Sequence, residues 1–381
     1  MHYFDWTATT PISESALEVY ANISRAFPGN PSSTHTLGLE AKNRLEEERK
    51  RIASLLNVSP STIFFTSGGT ESDSIVLSSL LHTLTPGTVL SSAIEHSAVL
   101  EYKNILQEKS WKFITLRCPG GYLDPQTVSE ALTPEVRMLC IMSVNNVTGT
   151  IQNLKEIVSV VRSYSKQTAR PVHIHCDAVQ SIGKIPFDIS SLDIDSCAIS
   201  AHKFFGPRGA GILYNRNKSL LPLSKGGGQE KGLRGGTENL PGICAMGKAL
   251  EEALSSINEN YKKVSNYRNM IEKTVLESGF TVLSPFSGST KEYSPYILNI
   301  SVKPLPSEVF LRIMNDKGFC LSAGSACSTN SRGKAESVLE AMQIKSQDRM
   351  SSIRISICAK NTEEEVVSLC EAIKQTAKEF K

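Results

Sequence analysis

Between positions 172 and 209 the chain reads VHIHCDAVQSIGKIPFDISSLDIDSCAISAHKFFGPRG, and no other stretch restricts the fold as much. Two β-rich runs, 172–176 and 196–200, each give way to residues able to do chemistry. Asp177 and Gln180 follow the first; Ser200, His202 and Lys203 close the second. The same pattern recurs upstream. Runs at 62–66, 89–93 and 138–144 lead into Thr70, His96 and Asn146, with helical stretches between them. Short β runs alternating with helices describe a mostly parallel sheet wrapped on both faces, an α/β fold. Ligands in such sheets bind beyond the carboxyl ends of the strands. Five strand ends therefore aim polar residues at one crevice.

Asp177 and Lys203 are the informative pair. A lysine and an acid facing one crevice suit pyridoxal phosphate (PLP), which is held as a lysine Schiff base with an acidic partner for its pyridine nitrogen. The Gly-rich turn Ser67-Gly68-Gly69-Thr70-Glu71-Ser72 sits between a β run and an apolar helix. Its glycines allow close backbone approach, and a helix N-terminus offers free N–H groups, so it can hold a phosphate. It can equally be a tight turn with a helix cap. It has neither the Gly-Lys-Ser/Thr ending of a Walker loop nor the glycine spacing of a dinucleotide fingerprint.

From about 37 to 56 the periodicity is helical, with Leu37, Ala41, Leu45, Ile52 and Leu55 on one face. The charge run 46–51 is expected to be a solvated face. The segment 225–242, KGGGQEKGLRGGTENLPG, is long and polar enough to cover a site or an interface. One long helical segment is expected from about 240 to 278. After it, runs at 296–302, 319–322 and 353–358 and helices near 308–317 and 363–380 suggest a smaller α+β domain with antiparallel strands. Cys327 sits among small polar residues in SAGSACSTNSR, where a thiol can be exposed and partly ionised. Cys140, Cys176, Cys197 and Cys320 lie in β runs and are expected to be buried and inert. Arg354 suits bidentate capture of a carboxylate, or else a surface ion pair.

Composition narrows the partners. A net charge of +3 with both signs interspersed gives no nucleic-acid stripe. No apolar run approaches the roughly 18 residues of a membrane span, and the start, MHYFDWTATTP, has no signal-peptide pattern. Nine cysteines without a Cys-x-x-Cys pair fit free thiols in a reducing cytoplasm.

Taken together, YFDWTATTP, GNPSSTH, FTSGGTES, IEHSAV, VNNVTG, HCDAVQSIGK, SAHKFFGPRG, GGGQEKGLRGGTEN, SAGSACS and SSIRIS resemble the cysteine desulfurases, PLP enzymes of the class V aminotransferase group. The resemblance spans nearly the whole chain. It implies PLP fold type I: a large domain at 14–255 with a mostly parallel seven-stranded-type sheet, and a small domain from 1–13 and 256–381. It implies a cytoplasmic homodimer that takes sulfur from L-cysteine, leaves L-alanine, and passes a persulfide to an acceptor protein for iron–sulfur clusters, thio-cofactors or tRNA.

By the same resemblance Lys203 carries PLP and moves protons at the substrate α-carbon, Asp177 keeps the pyridine nitrogen protonated, and His96 lies over the ring. Gln180 bonds the ring hydroxyl, and Asn146 lies beside ring and substrate. Gly69, Thr70, Ser200 and His202 bind the phosphate, joined by Thr237 from the other subunit. Arg354, with Asn30, takes the substrate carboxylate, and Cys327 takes the sulfur. Val147 stands where the family has a glutamate, and Cys358-Ala359 replaces Gly-Arg. Another class V enzyme, such as a selenocysteine lyase or an aminotransferase, is the nearest alternative; a transaminase has no use for the Cys327 thiol. A non-catalytic sulfur-carrier or scaffold dimer is the alternative of another class, and it would not need Lys203, Asp177 and His96 together.

Overall fold

A computed structural model describes residues 1–217, 220–287, 289, 292–323 and 338–380. Its main sheet has seven strands in the spatial order Ile63–Thr66, Gly211–Asn215, Ser196–Ser200, His173–Asp177, Val136–Met142, Thr88–Ser92, Lys112–Leu116. Only Gly211–Asn215 runs against its neighbours. The inner strands are Val-, Ile-, Leu- and Cys-rich and buried on both faces, as strands under two helical layers must be. The fold is α/β with a mostly parallel, helix-flanked sheet, as the alternating pattern implies.

A second sheet pairs Ser322–Ala323, Ser352–Ser356, Ile297–Ser301 and Thr281–Val282, all antiparallel. Its core gathers Ile271, Leu298, Ile300, Ile353, Ile355, Val366 and Ile373, beneath the helices Ile257–Glu277 and Glu363–Glu379. Thr362 and Glu365 cap the latter reciprocally at its start. The first residues belong to this core through Phe4, and His2–Tyr3 pairs in parallel with Phe319–Cys320. They then cross to the main sheet, where the Thr10 hydroxyl donates to the His202 carbonyl at 3.0 Å.

Four expectations need correction. The 46–51 run is a solvated face only in part: Glu46, Glu47 and Lys50 are exposed, but Glu48 and Arg49 are 0% and 4% exposed. Arg49 donates to both oxygens of Glu230 at 2.8 and 2.7 Å, and to the Ile63 carbonyl at 2.9 Å. The loop that covers this helix arrives 181 residues later and brings its own counter-charge. Glu48, paired with Arg44 and Arg51, fits because Gly247 opposite has no Cβ to collide with it. Leu37, expected inside, is 49% exposed at the first turn of its helix.

The 240–278 segment is two helices, Leu240–Ser255 and Ile257–Glu277, joined at Ser256. The 319–322 run splits between two sheets at Leu321, which leaves Cys320 half-buried rather than enclosed. Cys140, Cys176 and Cys197 are fully buried, as expected. Among the described residues no helix is long and apolar enough to cross a membrane.

Candidate active site

At the carboxyl edge of the main sheet, the strand Ile63–Thr66 runs into Gly68, whose φ of +157° suits glycine alone, and then into the helix Gly69–Ser79. A Cβ on Gly69 would lie 2.6 Å from Val179 Cγ2, so the turn packs directly on the segment after Asp177. The helix starts without a side-chain cap. Its N–H groups face a cavity of about 750 Å³, of which Gly69, Thr70, His96, Asn146, Asp177, Gln180, Ser200, His202, Lys203 and Arg354 are all lining residues. Asn30 and Thr237 do not line it, and Cys327 lies outside the described residues.

Lys203 ends a single turn, Ala201–Lys203, after the strand Ser196–Ser200. Its Nζ donates to the carbonyls of Thr7 and Ala8, both at 2.8 Å. Two residues on, Phe205 has φ +65°, a strained backbone for a side chain of that size. Its N–H donates to Thr10 Oγ1 at 2.9 Å and its ring packs on Trp6, which holds the turn in place.

Asp177, 8% exposed, accepts from the Val179 N–H at 2.9 Å, the constraint that turns the chain after the strand. His96 caps the helix Ser97–Leu100 by accepting the Ala98 N–H on Nδ1 at 3.1 Å. A neutral His96 ring therefore carries its proton on Nε2.

Charge crowds one end of the site. Burial first, then Lys203, Lys184 and Arg208, holds His202 down to about 4, so it is neutral. Burial and Lys203 bring the Lys184 amine down to about 7. Lys184 donates to Gln180 Oε1 at 2.6 Å, and Gln180 Nε2 donates to the Thr7 carbonyl at 3.4 Å. Arg354, 5% exposed, is a buried partner rather than a surface ion pair: Nη2 meets Asp5 at 2.9 Å and Nη1 the Asn146 carbonyl at 3.1 Å. Its buried Nε has no hydrogen-bond partner among the described residues. Asp5, Lys184 and Arg208 escaped the sequence reading. Asp5 lies in an N-terminal stretch from which no site residue was drawn, and Lys184 and Arg208 sit beyond the strand ends that drew attention.

An acid at one strand end, a lysine at the next, an uncapped helix start and hydroxyls around one cavity form the donor set that PLP needs. The whole arrangement is that of a PLP enzyme of fold type I. Comparison with known proteins agrees. Residues 2–369 match the class V aminotransferase model. A NifS/IcsS protein homolog of Lactobacillus delbrueckii subsp. bulgaricus is 35% identical, over all of this chain and 98% of its own length. The cysteine desulfurase IscS of Dictyoglomus turgidum is 33% identical, over 96% of this chain and 91% of its own. Among solved structures, a NifS-like protein superposes with a TM-score of 0.91 at 33% identity, covering 99% of this chain and all of that one. A protein described as SspA in complex with cysteine superposes at 0.79 and 30% identity, covering 95% of this chain and all of that one. The chain belongs to the class V aminotransferase family and, within it, to the PLP-dependent cysteine desulfurases.

Proposed function

We propose that this chain takes sulfur from L-cysteine, leaves L-alanine, and holds the sulfur as a persulfide on Cys327 for transfer to an acceptor protein. The observation that carries the reading is the meeting of Lys203, Asp177 and Arg354 in one cavity, from two neighbouring strand ends of the main sheet and a strand of the second sheet. PLP, when bound, supplies an electron sink for bonds broken at the substrate α-carbon. Every other role falls to side chains of this chain.

Lys203 is the amine that holds the cofactor and then moves the proton at the α-carbon. Asp177 keeps the pyridine nitrogen protonated. His96, with its proton on Nε2, lies over the ring and handles the substrate thiol proton. Gln180, its Oε1 already taken by Lys184, offers its amide N–H side to the ring hydroxyl, and Asn146 lies beside ring and substrate. Gly69, Thr70, Ser200 and His202 receive the phosphate, with the uncapped helix start behind them. The Arg354 guanidinium takes the substrate carboxylate, its unpartnered Nε being one donor still unused in the protein. The Cys327 thiolate attacks the substrate sulfur; the sulfur–carbon bond breaks, and the sulfur stays on Cys327.

Thr237 completes the site from a second subunit in a twofold homodimer, which is consistent with its position away from the cavity of its own chain. Asn30, expected beside Arg354, does not line that cavity, and Arg354 alone is assigned to the carboxylate here. The apolar clusters on the main sheet lie within a large domain over 14–255, joined by Leu339, Ala341 and Met342. The cluster of the second sheet lies within a small one from 1–13 and 256–381, joined by Val144 and Ile185, which supports that division. A cytoplasmic setting and an iron–sulfur or thio-cofactor acceptor complete the proposal.

The test is chemical. Reductive trapping followed by peptide mapping should find PLP on Lys203. Brief exposure to L-cysteine should add one reducible sulfur to the peptide holding Cys327. PLP on another lysine, or the sulfur on Cys320, would refute the assignment.

A further inference from the structure

His173, His175 and Asp177 share one face of their strand, since side chains two apart point the same way. Ile174 and Cys176 fill the other face and join the main core. On the polar face, below the helix Gly69–Ser79, lies a hydrogen-bonded chain. Asp73 Oδ1 is 2.9 Å from His175 Nε2. His175 Nδ1 and His173 Nε2 are each 2.7 Å from Ser196 Oγ, and His173 Nδ1 is 3.2 Å from the side-chain amide of Asn217. Asp73, His175 and Ser196 are 1%, 0% and 0% exposed, and Asp73 lines the cavity together with Asp177. None of the roles proposed above uses this chain. A buried polar network inside a sheet destabilises unless every member is satisfied.

Two proton orders satisfy it. In one, an ionised Asp73 accepts from His175 Nε2–H, Ser196 donates to His175 Nδ1, His173 Nε2–H donates to Ser196, and the Asn217 amide N–H donates to His173 Nδ1. In the other, the Asp73 carboxylic acid donates to His175 Nε2, His175 Nδ1–H donates to Ser196, Ser196 donates to His173 Nε2, and His173 Nδ1–H meets the Asn217 oxygen after a half-turn of that amide. The second order holds one more proton than the first, and that proton resides on Asp73.

The surroundings favour the second order. Burial, then the charge of Asp177, pushes the Asp73 carboxyl well up, while His96 pulls it the other way. Glu95, raised to about 8, and the buried Cys140 thiol face the same acidic region. Burial holds His175 and His173 down to about 4, so neither ring takes the proton instead.

We infer that Asp73, hydrogen-bonded through its acid proton to His175, is the proton-bearing member of the Asp73–Asp177 pair and a positioning residue that leaves Asp177 ionised for the cofactor. Two nearby buried carboxylates do not both ionise readily, so fixing the proton on one assigns the charge to the other. The inference rests on the reading of Asp177 as the anchor of the pyridine nitrogen.

The test begins without cofactor. The full chain, carrying 13C only at aspartate side-chain carboxyls, is examined by infrared spectroscopy at neutral pH, so that Glu95 does not contribute. A label-sensitive protonated-carboxyl band should be present in wild type, absent in Asp73→Asn, and kept in Asp177→Asn. Nitrogen-15 NMR of wild type, which needs no variant, should find His175 protonated on Nδ1. Loss of the band in Asp177→Asn instead, or a His175 proton on Nε2, overturns the inference. With cofactor, Asp73→Ala should weaken PLP binding about tenfold, or roughly 1.4 kcal/mol, and shift the pH midpoint of the visible band. Asp73→Asn, neutral and still a donor to His175, should restore both. Failure of Asp73→Asn to rescue would show that the carboxylate charge mattered, against the inference. A wild type that binds no PLP would instead sink the reading of Asp177 and leave the infrared result standing.

Discussion

Lys203 Nζ lies 2.8 Å from the carbonyl oxygen of Thr7, a residue 196 positions earlier in the chain. The N-terminal segment thus forms a wall of the cavity and orients the amine that the proposal assigns to the cofactor. Thr7 also accepts from Gln180, and the neighbouring Thr10 both donates to His202 and accepts from Phe205. A few residues around the turn at 6–8 therefore hold two strand-end side chains, Lys203 and Gln180, and the backbone of His202 and Phe205.

Thr10→Val keeps the shape and removes both hydroxyl bonds. The Phe205 N–H, in a strained turn, loses its acceptor. A stability loss of about 1–3 kcal/mol is expected, read as a lower midpoint in urea unfolding with an unchanged slope. PLP should also dissociate faster from the variant, because the turn that aims Lys203 loosens. Wild-type stability would mean that the Phe205 turn holds without Thr10.

Arg354→Lys should act mainly through substrate. Lysine cannot meet Asp5, the Asn146 carbonyl and a substrate carboxylate together. Losing one charge-assisted hydrogen bond of about 1.5–3 kcal/mol lowers kcat/KM roughly 10- to 100-fold, chiefly through KM. The visible spectrum of the bound cofactor should not change. Steady-state kinetics with L-cysteine checks this, and an unchanged KM would remove Arg354 from the substrate site.

Breaking the Arg49–Glu230 pair leaves the buried Arg49 guanidinium with only the half-exposed Glu46 as counter-charge. Glu230→Gln should cost about 3–5 kcal/mol and loosen the 225–242 loop, since Glu230 also accepts from the Phe65 N–H. The double replacement Arg49→Met with Glu230→Met should recover most of the loss. Chemical denaturation of the three proteins settles the matter: if the double variant is no better than the single one, the penalty does not come from an unpaired charge.

Lys184 gives a pH dependence whose sign follows from its lowered pKa of about 7. The unfolded chain binds a proton at this lysine up to about pH 10.4, whereas the folded chain releases it near 7. Between those limits the unfolded state holds more protons, so this group makes stability rise with pH. Below about 7 the folded state carries a buried ammonium, and the full penalty, on the order of a few kcal/mol, is present. Lys184→Met should therefore be stabilising at pH 6 relative to its effect at pH 9, measured by urea unfolding at both. An equal effect at the two pH values would show that Lys184 is not titrating in this window.

Much of the site was legible because it is local. Asp177 and Gln180 follow one strand, and Ser200, His202 and Lys203 close another. Backbone alternation and the end of a strand fix where such residues project, whatever the rest of the chain does. The same logic was available for His-x-His-x-Asp at 173–177, whose alternation places both histidines on the face of Asp177. Tertiary structure decided the rest. Nothing near Arg49 announces that Glu230 will cover it, nothing near Arg354 names Asp5 as its partner, and nothing in the first ten residues says that their carbonyls will meet Lys203. Those pairings join residues 181, 349 and 196 positions apart. They exist because the sheet and its helices bury enough apolar surface to close such long loops, and a buried charge then holds whatever counter-charge the packing delivers.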